Sequence, residues 1–401
     1  MMSVVLFDDP HTRRQLLPFT FTRPISGIRC GILTLTEKWS MWLKTTPFFL
    51  TETYLSLLYP SAPNSASYLY INGSLCPDPT LVQAILYLPL ESQLRNPQTN
   101  QLLAVRTATA NWTPDDSLTK NLDVQLFEEP YTSIEQLWDI FLKNGDQLRM
   151  DYAQLTSDRS SAAISDEFTR CYKSENIFLE EGVTIRAAIL NAEGGPIYLG
   201  KNSVVSEGAI IQGPFALGEG AVIGQGAKIR PNCTIGPFCK VSGEVNNSIL
   251  FGYSNKAHDG YLGNAVLGEW CNLGANTTNS NLKNDYTTVK LYDYSTRALE
   301  DSGQLFCGLF MGDYTKAGIN TLFNTGTVVG VNVNVFGAGF QPKHIPSFTW
   351  GGQAEGFSTY RYEKALDVIQ ATIGRRQLTL SDRQQDVLRH IFEQTKPDRT
   401  Y

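Results

Sequence analysis

Three arginines stand close behind the first apolar run of this 401-residue chain, where Arg13, Arg14 and Arg23 bracket Leu17-Pro18-Phe19-Thr20-Phe21-Thr22. Guanidinium groups stay charged at any physiological pH and present a planar fork of donors that fits phosphate oxygens. The neighbouring carboxylates Asp8 and Asp9 are of the type that holds Mg²⁺ together with substrate phosphates. These residues read as a sugar-phosphate or nucleotide site; the alternative is a solvated, salt-bridged loop. Phe7-Asp8-Asp9-Pro10 lacks the glycine spacing that lets backbone amides approach a nucleotide's phosphates. The seven cysteines (Cys30, Cys76, Cys171, Cys233, Cys239, Cys271 and Cys307) form no Cys-x-x-Cys pair, so reduced thiols are expected rather than a disulfide frame. His11, His258, His344 and His390 form no His-x-x-x-His pair, and a structural zinc site is not expected.

The elements that must carry the arginines are legible in outline. Val4–Phe7 reads as a short buried strand and Tyr68–Asn72 as another, with helix-like segments over 28–44, 79–87 and 133–144. Strands alternating with helices predict an α/β layer domain over residues 1–170. Ligands of open α/β sheets bind outside the carboxyl ends of strands, and the arginines follow such an end.

From about residue 177 the pattern changes. Leu199, Val205, Ile211, Leu217, Ile223, Ile229, Ile235 and Val241 fall six apart, and four residues after each comes Ser203, Ala209, Phe215, Ala221, Ala227, Cys233, Cys239 or Val245. Helices repeat apolar residues at three and four, and strands alternate them. A six-residue period predicts a parallel β-helix of hexapeptides over 171–345, with the aliphatic residue inward on each flat side. Stacked coils are then the only way to bury those sides. Leu267, Leu273, Met311, Ala317, Phe323, Val329 and Val335 resume the frame after a polar excursion near 281–308. Excursions of this kind are where solenoids commonly build a binding surface. Residues 346–401 read as a cap and helical tail: Ser381-Asp382-Arg383-Gln384 is a capping box, and Val387, Leu388, Ile391 and Phe392 form one apolar stripe.

Composition narrows the class of protein. Apolar residues at 42% and charged residues at 18% suffice for a sizeable core and exclude a disordered chain. A net charge of -6 argues against a nucleic-acid partner, which needs a basic excess. No apolar run is long enough to span a membrane, and the opening Met-Met-Ser-Val-Val-Leu-Phe-Asp-Asp has no basic region typical of a signal peptide. The expected setting is cytoplasmic, with no membrane partner.

Two stretches carry a family resemblance. Ser254-Asn255-Lys256-Ala257-His258-Asp259-Gly260-Tyr261-Leu262-Gly263-Asn264 is followed by Leu267-Gly268-Glu269-Trp270-Cys271-Asn272-Leu273-Gly274-Ala275-Asn276-Thr277. With them the chain resembles the bifunctional N-acetylglucosamine-1-phosphate uridyltransferase/glucosamine-1-phosphate N-acetyltransferase family, in a divergent bacterial branch. The resemblance implies a nucleotidyltransferase-like α/β domain followed by a left-handed β-helix, a homotrimer, and acetyl-CoA and Mg²⁺ as cofactors. Its implied substrates are a sugar phosphate and a nucleoside triphosphate. It implies that His258 is the general base toward the substrate amine and that Glu244 orients it. Histidine titrates near neutrality and needs a partner to fix its tautomer. By the same resemblance Tyr261, Asn272, Asn281 and Arg230 hold the sugar phosphate, and Ala275 meets the pantetheine arm with its backbone.

Two departures from the family pattern stand out. Asn246 replaces a phosphate-binding lysine two residues after the acid, which leaves Lys256 as the substitute or implies a different acceptor. The glycine-rich loop after the first strand is missing, and Ser74 stands where a metal-binding aspartate is expected. Asp8, Asp9 or Asp78 is then left to supply a rearranged metal site. The expected function is amino-sugar-1-phosphate acetylation with nucleotidyl transfer, with the alternatives of a single retained activity or a sugar-nucleotide-binding scaffold.

Overall fold

The computed structural model describes residues 2–110, 112–114 and 121–401. They form two compact units, one of residues 2–28 and 33–137 and the other of residues 29–32 and 138–401.

In the first unit, six strands form a mixed sheet in the order Phe48–Leu50, Met2–Phe7, Ser67–Asn72, Leu102–Thr107, Ser92–Arg95, Asp123–Leu126. Met2–Phe7 runs parallel to both of its neighbours, as a crossover through helical segments requires. Alternate residues face opposite sides of the sheet. Val4, Leu6, Leu69 and Ile71 therefore join one core, while Val5, Phe7, Tyr68 and Tyr70 join another with Trp112. Two helices, Leu35–Leu43 and Pro79–Leu86, begin at side-chain caps: Thr34 with Glu37 in a capping box, and Asp78 ahead of Pro79. The expected helix over 28–44 is thus shorter. Ile25–Gly27 is a single 3-10 turn, and Ile28 is extended.

The second unit is a parallel β-helix. Its two long sheets carry nine and ten strands, and a third carries six. The period-six residues stack by side: Leu199, Leu217 and Ile235 in the first sheet, Val205, Ile223 and Val241 in the second, Ile211 and Ile229 in the third. All of them are buried in one core with Ala209, Ala221, Ala227, Cys233 and Cys239. After Val241 the frame slips. Ile229 pairs with Val245, two residues short of three hexapeptides, and Val241 pairs with Lys256. The excursion at 281–308 leaves the coils and folds into a hairpin of Lys290–Asp293 and Ala298–Asp301. Tyr292 of that hairpin stacks on His344 at 3.5 Å between ring centroids. Burial holds the His344 imidazole neutral, its pKa pulled down to about 3.

Residues 138–170 belong to this unit rather than to the N-terminal domain assigned from sequence. The reason lies in the helix Asn144–Thr156, whose Asn144 side chain donates to the Asn232 carbonyl and to Thr234 Oγ1 on the coils. Three residues from far upstream, Arg29, Gly31 and Ile32, also bond to this unit. Gly31 N–H donates to Asn144 Oδ1 at 2.7 Å, Ile32 N–H to Asp151 Oδ2 at 2.8 Å, Thr234 Oγ1 to the Gly31 carbonyl at 2.9 Å and Arg29 Nε to the Phe251 carbonyl at 3.1 Å. At the other end the coils run on past residue 345, through His344–Ile345 and Thr349–Gly352. The helices Tyr362–Gly374 and Asp382–Gln394 follow, the second starting at the Ser381–Gln384 capping box. Phe348, Tyr362 and Phe392 form an aromatic cluster there. All seven cysteines are free thiols, and burial pushes those of Cys233 and Cys239 up to about 12.

Candidate active site

The third sheet of the coil presents the polar row on which the expected site depends. Val245 and Leu262 point inward, so their neighbours Glu244, Asn246 and Tyr261 point out. Glu244 is in register with Tyr261 on the following coil. Its carboxylate accepts from Arg230 Nε at 2.8 Å. It makes no hydrogen bond to His258, so the expected Glu244–His258 pair is not formed within this chain, and Arg230 occupies the acid instead. The slip of the frame after Val241 accounts for this. It sets Glu244 beside Lys228 and Tyr261, while His258 lies on the exposed corner before Tyr261.

Tyr261, Asn264 and Asn281 do come together. Asn281 Nδ2 donates to Tyr261 Oη at 3.0 Å and to Asn264 Oδ1 at 2.8 Å. The Tyr261 ring lies over Gly263, where any side chain would collide with the phenol. Behind this trio, Asn279 exchanges two hydrogen bonds with the Gly263 backbone, and Thr278 Oγ1 accepts from Tyr261 N–H. Residues 281–308 thus begin by placing one amide on this polar row. They continue into the wall of a cavity of about 590 Å³, lined by Leu142, Asn232, Asn246, Asn247, Asn264 and Gly303–Phe306. No lining side chain carries a charge. Asn272 and Ala275 sit on the second sheet and the corner after it, Asn272 half-buried between Asn255 and Lys316, with the Ala275 carbonyl accepting from Asn320 N–H.

Lys256 is not an exposed phosphate ligand. It is 1% exposed and faces the coil interior in register with Val241. Its Nζ donates to the carbonyls of Ser242 and His258.

The N-terminal candidates are likewise committed. Asp8 is buried; its Oδ1 accepts from Ile25 N–H, and its Oδ2 from Arg13 Nη1 at 2.7 Å and Thr51 Oγ1 at 2.6 Å. Burial pushes the Asp8 carboxyl above its usual range, with Arg13 as the main influence pulling it back. Arg13 also donates to the carbonyls of Thr20 and Arg23 and to Tyr54 Oη. Asp9 and Asp78 are helix N-caps, accepting from Thr12 N–H, and from Thr80 and Leu81 N–H. Arg23 is 5% exposed, and of the three arginines only Arg14 is exposed. Among the described residues no group of three or more His, Cys, Asp or Glu side chains could hold a metal. Both carboxylate oxygens of Asp8 already serve the fold, whereas Asp9 and Asp78 each accept through Oδ1 at a helix start. No helix among the described residues is long and apolar enough to cross a membrane.

Residues 4–160 match the family model described as Sugar nucleotidyl transferase. Over those residues the chain is similar to that family. It is 37% identical over 91 residues to the Bifunctional protein GlmU of Methanocaldococcus jannaschii, which is 23% of this chain and 22% of that protein. The Bifunctional sugar-1-phosphate nucleotidylyltransferase/acetyltransferase of Sulfurisphaera tokodaii is 32% identical over 24% of this chain and 23% of its own. The Bifunctional protein GlmU of Gloeothece citriformis is 29% identical over 43% of this chain and 30% of its own. The chain thus spans less than a third of the length of the relatives it matches.

Two features escaped the sequence reading. Asn264 joins Tyr261 and Asn281, and nothing in its local pattern marks it apart from other corner asparagines. Lys316, beside Asn272 on the next coil, has a buried ammonium with no hydrogen-bond partner among the described residues. Burial lowers its pKa. Its signal was a lysine next to the inward Ala317, which the hexapeptide frame treats as an ordinary outward position.

Proposed function

We propose that this protein acts on amino-sugar-1-phosphates. Its coils transfer an acetyl group from acetyl-CoA to the amine of a hexosamine-1-phosphate resembling glucosamine-1-phosphate, and its N-terminal domain links the sugar-1-phosphate to a nucleoside triphosphate. The observation that carries this reading is the exposed His258 one corner away from the Tyr261–Asn281–Asn264 cluster. The amine nitrogen attacks the thioester carbonyl while His258 takes its proton. The carbon–nitrogen bond forms, the carbon–sulfur bond breaks, and the proton passes to the departing thiolate. Arg230, oriented by Glu244, offers its remaining N–H groups to the sugar's phosphate. Asn246 and the uncharged cavity beside it meet sugar hydroxyls rather than a second anionic group. A trimer would set a neighbouring copy's surface against this row, and a cytoplasmic setting supplies acetyl-CoA.

The commitment of Asp8 and Arg13 to each other favours a second reading, in which the coil half alone turns over and the N-terminal domain binds sugar nucleotide without chemistry. Thiol release from acetyl-CoA, with glucosamine-1-phosphate and galactosamine-1-phosphate as acceptors, tests the first half of the proposal. His258→Ala is expected to lower the rate by about 100-fold or more, the scale of general-base loss. Unchanged turnover in that variant would remove His258 from the mechanism. Pyrophosphate release from a nucleoside triphosphate and the acetylated sugar phosphate separates the two readings of the N-terminal domain.

A further inference from the structure

The coil interior contains a charged group where its neighbours are aliphatic. Ile223, Val241, Leu273 and Val335 fill the inward position of the second sheet, and Lys256 fills it in between. Its side chain runs inside the coil, and its Nζ reaches the following corner. There it donates to the Ser242 carbonyl at 3.0 Å and to the His258 carbonyl at 2.8 Å. Gly243 leaves the room for this: a Cβ there would lie 2.8 Å from Nζ and 3.0 Å from the His258 carbonyl oxygen. The backbone of His258 is thereby tied to the interior while the residue itself stays exposed.

We propose that Lys256 is a positioning residue for His258, its ammonium anchoring the backbone of the 257–260 corner so that the imidazole is presented in one place. This rests on the acetyltransferase reading above. A buried ammonium is costly compared with a buried aliphatic chain, and its position already has an aliphatic solution on the neighbouring coils. What an aliphatic residue cannot do is hold two carbonyl groups. Holding matters here, because displacing a reacting group by about 1 Å can cost on the order of 100-fold in rate. Lys256 is in register with apolar Val241 on the preceding coil, and the charged or titratable residues of its own corner are Asp259 and His258. Burial pulls the Lys256 pKa from 10.5 down to about 8, with the Asp259 carboxylate acting in the opposite direction. The cationic form, with its stronger charge-assisted bonds, therefore prevails below about pH 8 and gives way to the neutral amine above it.

Full-length wild type, Lys256→Met and Lys256→Arg are compared in two measurements: amide hydrogen exchange of the 257–260 corner, and kcat and KM of thiol release from acetyl-CoA between pH 6 and 10. The expected result for Lys256→Met is at least tenfold faster corner exchange and a kcat lower by tenfold or more, with acceptor KM within twofold. Lys256→Arg, which keeps the charge and the donors, recovers most of both. Wild-type kcat falls on an alkaline limb near pH 8, a readout that stands even if neither variant folds. Unchanged corner exchange in Lys256→Met overturns the proposal, as does an unchanged kcat in that variant or a wild-type profile flat from pH 7 to 10. A wild type that exchanges as expected but releases no thiol instead sinks the acetyltransferase reading.

Discussion

Asp8 and Arg13 looked from sequence like a metal ligand and a phosphate ligand, and in the folded domain they neutralise each other. Their side chains are 5% and 7% exposed, and both carboxylate oxygens and the guanidinium are engaged. Removing one partner of such a pair leaves a buried charge without its counterpart, which typically costs about 3–5 kcal/mol. Arg13→Met is therefore expected to lower the stability of the N-terminal unit by that order, read as an earlier urea midpoint. It is also expected to raise the Asp8 carboxyl further, since the main influence pulling it down is gone. Arg14→Ala, at an exposed position, is expected to leave the midpoint within about 0.5 kcal/mol. An unshifted midpoint for Arg13→Met would mean that the pair is dispensable to folding and remains available to a ligand.

The corner between Asn255–Lys256 and Tyr261–Gly263 is the element on which the proposed acetylation site turns. Gly260 there has φ +121°, a region nearly closed to other residues, and a Cβ would run into the Thr277 carbonyl. Gly260→Ala is expected to cost about 1–3 kcal/mol. It should also reduce acetyl transfer more than it reduces stability, with both read on the same preparation by thermal melting and thiol release. A proportionate loss of both would make the corner a structural joint only. The coils carrying this corner are legible in the sequence, because a six-residue period admits few other folds and every residue named in that frame is interior. The corner itself was not. The frame slips after Val241, and a lysine stands in an aliphatic slot. Both features are invisible to a rule that expects repetition, so the sequence pattern points Lys256 at phosphate although it faces inward. Tyr261 and Asn281 were reachable only through a family resemblance, since twenty residues separate partners that the coil brings within 3.0 Å. The N-terminal sheet was legible as a class, yet the roles of Asp9 and Asp78 as helix caps required the helix starts to be known.

At the scale of the whole molecule, the division at Leu137 and Trp138 sits well before the point where the repeat begins. Composition changes at the repeat, whereas packing changes where the helix Asn144–Thr156 docks on the coils. A chain of residues 138–401 made alone would lack the Gly31 and Ile32 donors to Asn144 and Asp151 and the Arg29 donor to Phe251. Its coil transition is expected to melt several degrees below that of the full-length protein by scanning calorimetry. A synthetic peptide spanning residues 26–35 should restore part of the difference. Equal melting temperatures would show that the three upstream residues are passengers. If they are not, the chain is stitched rather than strung: it visits the coil unit at 29–32, leaves it, and returns at 138. No single cut separates two intact halves. A gene encoding such a protein could exchange its N-terminal unit with another only by moving two breakpoints together, so a fusion recombined at one point would inherit a seam with one stitch missing.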